Sequence, residues 1–222
     1  MTEPDFIPLS SYTEYPPDEI KHHSTLFLNN AQRRRSVRDF SDRHVPKEVI
    51  QNCILAAGSA PSGANRQPWH FVAVSDTDTK RQIRLAAENV EQALYNKRAS
   101  KQWLNALARF KTDPDKPFLQ IAPWLIVIFA QKYKLLADRT KELNYYVNES
   151  AGIAAGILIT AIHNAGLVCQ PYTPSPMGFL NKILTRPENE RPFMVLVVGY
   201  PADDVTVPNL PKKTLRQIST FV

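Results

Sequence analysis

The sequence predicts an α+β domain, with central strands covered by helices and an extended tail at each end. Three observations carry this. Residues 124–130 read WLIVIFA, an unbroken apolar run of strand length, as expected for a strand covered on both faces. Residues 144–165 carry small and apolar side chains on nearly every side and stop at Gly166, as a central buried helix would. The two ends are polar and proline-containing, with neither a helical nor a strand period.

The other elements follow in chain order. Residues 1–20 form an extended N-terminal arm, because Pro16-Pro17 and the polar spacing give no amphipathic period. A helix is expected over residues 24–34. Pro46 suits a first helical position, and Val49, Ile50, Cys53, Ile54 and Ala57 make one apolar stripe ending at Gly58. Residues 59–64 form a loop of small residues. Residues 70–74 alternate as a strand, and 76–96 read as a helix. The polar, basic stretch 97–117 has Trp103, Leu104 and Leu107 as its strong anchors and reads as a helical flap. Strands at 168–172 and 194–198 flank a helix at 178–184. The C-terminal arm, 203–222, carries Lys212, Lys213 and Arg216 and little apolar period. Tails that bury little within their own chain commonly wrap a partner, so a homodimer is the default expectation. The organisation is an arm at 1–20, a domain at 21–202 with its flap at about 91–117, and a second arm at 203–222.

Composition narrows the class. The 222 residues are 43% hydrophobic and 22% charged, ordinary for a globular chain. A net charge of +6 and a pI near 9.3 suit an anionic partner such as a phosphorylated cofactor, a membrane surface or nucleic acid. The basic residues are scattered, apart from Arg33-Arg34-Arg35, which argues against a nucleic-acid face. Cys53 and Cys169 are the only cysteines, and neither sits in a CxxC or Cys/His cluster, which disfavours a disulfide framework or a zinc site. The acidic, proline-rich start has no signal-peptide pattern. The longest weakly polar run, 150–162, falls short of the roughly 20 residues that a membrane span needs. The expectation is a cytoplasmic protein with no metal and no membrane contact. No GxGxxG follows a strand, and the sequence contains no GxxxxGK[ST], GxSxG or HExxH, so the common nucleotide loops and hydrolytic motifs are missing.

Four constellations remain, and each has an ordinary alternative. Arg33-Arg34-Arg35-Ser36-Val37-Arg38 could grip a phosphate through guanidinium forks and a hydroxyl, or could simply be a basic helix end. Pro61-Ser62-Gly63-Ala64 lets backbone approach a flat ligand and offers consecutive N–H groups; alternatively it is a surface turn. Glu91 and Tyr95, four residues apart, share a helix face, and with Lys116 they match an amino-acid zwitterion. The alternative is a solvated face with a distant lysine. Pro171-Tyr172-Thr173-Pro174 holds a threonine hydroxyl firmly after a strand, or merely ends that strand.

In this order, RRSVRDF, APSGANRQPW, ENVEQALY, NAGLVCQPYTP and VGYP resemble the FMN-dependent nitroreductase superfamily, and more narrowly its iodotyrosine deiodinase branch. The similarity runs from about Gln32 to the C-terminus. Glu91, Tyr95 and Lys116 are its discriminating part. The resemblance implies a three-layer fold with a central mixed sheet and with arms swapped in a homodimer, FMN lying at the subunit interface. Arg34, Arg35, Ser36 and Arg38 would hold the FMN phosphate, ribityl chain and ring edge, with the Val37 backbone nearby. Pro61 and Ser62 would line the flavin. Pro171, Tyr172 and Thr173 would reach it from the neighbouring subunit, with the Thr173 hydroxyl as the catalytic contact at flavin N5. Lys212 stands where animal members carry a phosphate-binding arginine, and it lacks the fork. Glu91 would meet the substrate ammonium, Tyr95 and Lys116 its carboxylate, and the Ala64 N–H its phenolate.

The implied reaction removes halogen from halotyrosines such as 3-iodo-L-tyrosine. Protonation at the halogen-bearing carbon gives a keto form, and two one-electron transfers then release halide and restore the ring. Reducing equivalents would come from NAD(P)H, directly or through a reductase. Animal members begin with a membrane anchor and this chain does not, which again implies a free cytoplasmic protein. The competing readings are a general nitroreductase or quinone reductase, a flavin-cleaving relative, a non-catalytic flavin or tyrosine sensor, and a nucleic-acid binder. A binder would show strong salt dependence.

Overall fold

A computed structural model describes residues 6–110 and 112–222. Met1–Asp5 of the expected N-terminal arm and Lys111 of the expected flap lie outside the described residues. The chain divides into a unit ending at Arg34 and a larger unit, Arg35–Val222.

The first unit holds one helix, α1 (Pro17–Arg33), seven residues longer at its start than the expected 24–34 and reaching into the expected arm. Pro17 supplies a preset helical φ, and Asp18 and Glu19 in the first turn favour the positive end of the dipole. Those local signals start the helix without an apolar stripe. None of its residues is buried, and Ile20, Leu26, Phe27 and Leu28 are exposed.

In the larger unit, α2 (Lys47–Gly58) begins one residue after Pro46, and its Ile50, Cys53 and Ala57 are buried. Strand β1 (Trp69–Val74) leads to α3 (Thr77–Ala93), which Asp76 caps by accepting from the Thr79 N–H at 2.8 Å. A π-type turn, Leu94–Arg98, then precedes α4 (Lys101–Ala108) and the short α5 (Phe118–Ile121). Strand β2 (Trp124–Gln131) is followed by a hairpin of β3 (Tyr133–Leu135) and β4 (Lys141–Leu143), which the charged sequence there concealed. Helix α6 (Val147–Asn164), β5 (Val168–Tyr172), α7 (Phe179–Ile183) and β6 (Glu190–Gly199) complete the body. The C-terminal arm is extended except for one helical turn, α8 (Leu215–Ile218), closed by a capping box between Thr214 and Gln217.

The four long strands form one sheet in the order β1-β2-β6-β5. All three ladders are antiparallel, which corrects the expected mixed sheet. The parallel relations exist only between strands that are not neighbours, because β6 inserts between β2 and β5. A single parallel bridge, Ser36 to Cys169, sits beside β5. The layering is as expected. Leu125, Val127 and Phe129 of β2 face the cluster with Ile83 of α3, Leu119 of α5 and Leu180 of α7. Trp124, Ile126 and Ile128 face the one with Ile50, Cys53, Leu158 and Ile162 of α2 and α6. The strand is apolar throughout because both of its faces are core. Each fully buried side chain of this kind contributes about 1.5–3 kcal/mol. Helix α6 is buried on one side through Ala151, Ala154, Leu158 and Ile162, while Ile153 on its other side is exposed within the single chain. No helix among the described residues is long and apolar enough to cross a membrane.

Candidate active site

The site is built from three parts of the fold: the segment after α1, the C-terminal end of α3, and the end of β5. In the first, the Val37 N–H donates to the Cys169 carbonyl at 3.3 Å, so Ser36–Val37 runs beside β5. The alternation of extended chain puts Val37 in the core and leaves Ser36 and Arg38 to a cavity of about 240 Å³, also lined by Asp39, Arg109, Phe110 and residues 206–208. Arg35 donates to the Pro208 carbonyl, fastening the C-terminal arm here. The Arg38 guanidinium lies 5.2 Å from the centroid of the Phe110 ring, a cation–π distance. Burial draws its pKa down, opposed by the Asp39 carboxylate.

Arg38 also lines a second cavity, of about 180 Å³, with Glu91, Tyr95, Lys116, Pro171, Tyr172 and Thr173 in its wall. Glu91 and Lys116 are both buried. Lys116 Nζ is 3.8 Å from Glu91 Oε2, donates to Thr112 Oγ1 at 3.4 Å and to the Asp113 carbonyl, and sits 5.8 Å from the Tyr95 ring centroid. The Tyr95 hydroxyl donates to the Thr112 carbonyl at 3.1 Å. Burial lowers the pKa of Lys116, with Glu91 the main opposing influence. Burial raises that of Tyr95, so its hydroxyl keeps its proton and stays a hydrogen-bond donor at neutral pH. The backbone N–H of Lys116 donates at 2.8 Å to Glu88 Oε1, which also accepts from Arg84 Nε at 2.7 Å. Glu88 therefore pins the end of the flap to α3.

Thr173 is exposed, one residue beyond the end of β5. Behind it Gln170 is buried. Its Nε2 donates to the Pro171 carbonyl at 2.8 Å, and among the described residues its Oε1 accepts from no group. An acceptor of this kind in a cavity wall suits a ligand that brings an N–H.

The structure thus joins Ser36, Arg38, Glu91, Tyr95, Lys116, Pro171, Tyr172 and Thr173 around two cavities that share Arg38, with Val37 behind them. Pro171, Tyr172 and Thr173 line the same cavity as Glu91 of their own chain. The reason is that β5 lies on the sheet edge beside the Ser36–Val37 segment of its own chain. Pro61, Ser62, Ala64 and Lys212 line neither cavity. The 61–64 loop packs on other residues instead: a Cβ on Gly63 would meet Tyr146 Cδ2 at 2.8 Å, and Ala64 is held at φ 49°. Lys212 is exposed on the C-terminal arm. Arg34 ends α1, in the first unit, with its N–H donating to the Ala31 carbonyl. Sequence reading passed over Glu88, Arg109, Phe110 and Gln170. Nothing in their local pattern separates them from surface or strand residues, and long-range packing alone brings them to the site.

The Nitroreductase family model matches residues 31–200 of this chain. An iodotyrosine deiodinase of Haliscomenobacter hydrossis is 52% identical over 211 residues, covering 95% of either chain. Iodotyrosine deiodinase 1 of Mus musculus is 45% identical over 213 residues, 96% of this chain and 75% of that protein. Among solved structures, an oxidized iodotyrosine deiodinase bound to FMN and 3-iodo-L-tyrosine superposes with a TM-score of 0.76 at 31% identity, covering 88% of this chain and 100% of that one.

Proposed function

Since the chain belongs to the nitroreductase family, and within it to the iodotyrosine deiodinases, we propose that it is an FMN-dependent reductive dehalogenase acting on halotyrosines such as 3-iodo-L-tyrosine. The observation that carries this is the set of buried Glu91 and Lys116 with half-buried Tyr95, lining one cavity with Thr173 and Arg38. One carboxylate, one phenol and one ammonium complement a zwitterion, whereas reduction of a neutral nitroarene or quinone needs none of them.

The residues fit the cofactor. Arg35, Ser36 and Arg38, joined by Lys212, offer the cations and hydroxyl a phosphate requires, and Gln170 Oε1 offers an acceptor to the N–H of a flavin ring. Pro61 and Ser62 complete the flavin's surroundings. FMN, when bound, supplies the reducing electrons, in single steps, and draws them ultimately from NAD(P)H, directly or through a reductase.

The chain's own groups orient the substrate. Glu91 accepts from its ammonium. Tyr95 and Lys116, which now donate to oxygens of Thr112 and Asp113, turn those donors to the substrate carboxylate. The Ala64 N–H holds the phenolate, and the Thr173 hydroxyl faces the cofactor. The flap that carries Thr112 orders over the ligand and excludes water. We read the functional form as a homodimer, in which the exposed face of α6 through Ile153 is covered and the 61–64 loop is brought to its partner's flavin. The protein works in the cytoplasm.

The test is iodide release from chemically reduced, FMN-loaded protein under anaerobic conditions. Stoichiometric iodide and tyrosine from 3-iodo-L-tyrosine are expected. Yellow protein that binds the amino acid and releases no iodide would instead indicate a sensor.

A further inference from the structure

The side chain that fixes Glu91 lies outside the proposed amino-acid clamp. The Tyr172 hydroxyl donates to Glu91 Oε1 at 3.1 Å, across 81 residues of sequence. Both residues are 8% exposed. The Tyr172 ring stands edge-on to Phe118, with centroids 5.8 Å apart and planes at 84°, and it ends β5 in the core cluster on the α3 side of the sheet. Burial, then the Glu91 charge and the bond to it, hold this phenol well above its ordinary pKa, so it stays a donor. Among the described residues the other oxygen, Oε2, has only Lys116, at a looser 3.8 Å. One oxygen of Glu91 is therefore tied to the sheet, and the other is left to the cations of the cavity.

We propose that Tyr172 is a positioning residue for recognition of the substrate's α-ammonium: it fixes the Glu91 carboxylate so that Oε2 is presented to an alkylammonium. This rests on the amino-acid reading above and assigns Tyr172 a side-chain role distinct from lining the flavin. A carboxylate that is already oriented loses less freedom on binding, and its hydrogen bond to a desolvated phenol resists rotation toward Lys116. Because Tyr172 and Thr173 are adjacent at the end of one strand, the same rigid element sets both the ammonium contact and the threonine hydroxyl.

The test uses FMN-loaded protein and two ligands that differ only in the amino group, 3-iodo-L-tyrosine and 3-(4-hydroxy-3-iodophenyl)propionate, with Kd read from the flavin spectrum. Tyr172→Phe should weaken binding of the amino acid about tenfold or more, as expected for a lost hydrogen bond to a charged group, and leave the propionate within about twofold. In a Glu91→Gln background the same change should add little for the amino acid. Equal loss for both ligands, or no loss for either, overturns the proposal. Should Tyr172→Phe fail to yield loaded protein, 3-fluorotyrosine at position 172 gives a second readout. Its ¹⁹F resonance should move on saturation with the amino acid and stay in place with the propionate, and equal movement overturns the proposal. If the unmodified protein does not bind 3-iodo-L-tyrosine at all, the functional reading itself fails. If it binds and discriminates, and Tyr172→Phe discriminates as well, only this inference fails.

Discussion

Lys116 Nζ faces Glu91 Oε2 at 3.8 Å, with 4% and 10% of their side chains exposed. Two opposite charges so far out of solvent are costly to hold at that separation without further partners. Lys116 has Thr112 and Asp113, and Glu91 has Tyr172. Removing one charge strands the other. Lys116→Met should therefore destabilise the protein by about 3–5 kcal/mol, and the double variant Lys116→Met/Glu91→Gln by less than Lys116→Met alone. Urea unfolding followed by circular dichroism measures both; strictly additive losses would show that the pair is not coupled.

Arg38 is shared by the two cavities, one wall carrying Ser36 and the other Glu91. Arg38→Lys keeps the charge and loses the planar fork. The Kd for FMN, read by flavin fluorescence on apoprotein, should rise about tenfold or more. An unchanged Kd would remove Arg38 from the cofactor site.

Much of this was legible in the sequence, for physical reasons that differ by element. The WLIVIFA run fixes β2 because both of its faces are core, and the four-residue spacing from Glu91 in the last turn of α3 to Tyr95 in the π-type turn that follows places the acid and the phenol together. What sequence could not supply is the order of strands. The insertion of β6 between β2 and β5 makes the sheet antiparallel and sets Tyr172 against Glu91. Glu88 reads as one more acid on a helix until the flap backbone donates to it. The start of α1 was missed because it depends on Pro17 and two acids rather than on an apolar period.

Thr173 is exposed at the end of β5 and packs little of the core. Thr173→Ala should leave FMN affinity within about twofold while slowing single-turnover iodide release by roughly tenfold. Unchanged release would take the hydroxyl out of the chemistry.

Glu190 on β6 is buried and accepts a two-pronged bond from Arg186 at 2.7 and 2.8 Å. Burial pushes its pKa up, but the bonds from Arg186 and Gln131, with His70 nearby, outweigh this and leave it below the ordinary 4.5. A depressed carboxylate contributes stability that is complete above its unfolded value and is lost as pH falls through the folded one. Thermal stability should therefore decline below about pH 4.5 with a component that Arg186→Met abolishes. Equal acid sensitivity in the variant would contradict this.

The central claim is that Glu91, Tyr95 and Lys116 hold an amino acid over the flavin, and ligand discrimination by the oxidized, FMN-loaded protein tests it most directly. Titrated with 3-iodo-L-tyrosine and with 2-iodophenol, the flavin spectrum should report binding of the amino acid at least about a hundredfold tighter, since two charge-assisted contacts are at stake. Glu91→Gln should erase most of that preference. Equal affinity for the two ligands, or a preference that survives Glu91→Gln intact, would contradict the account.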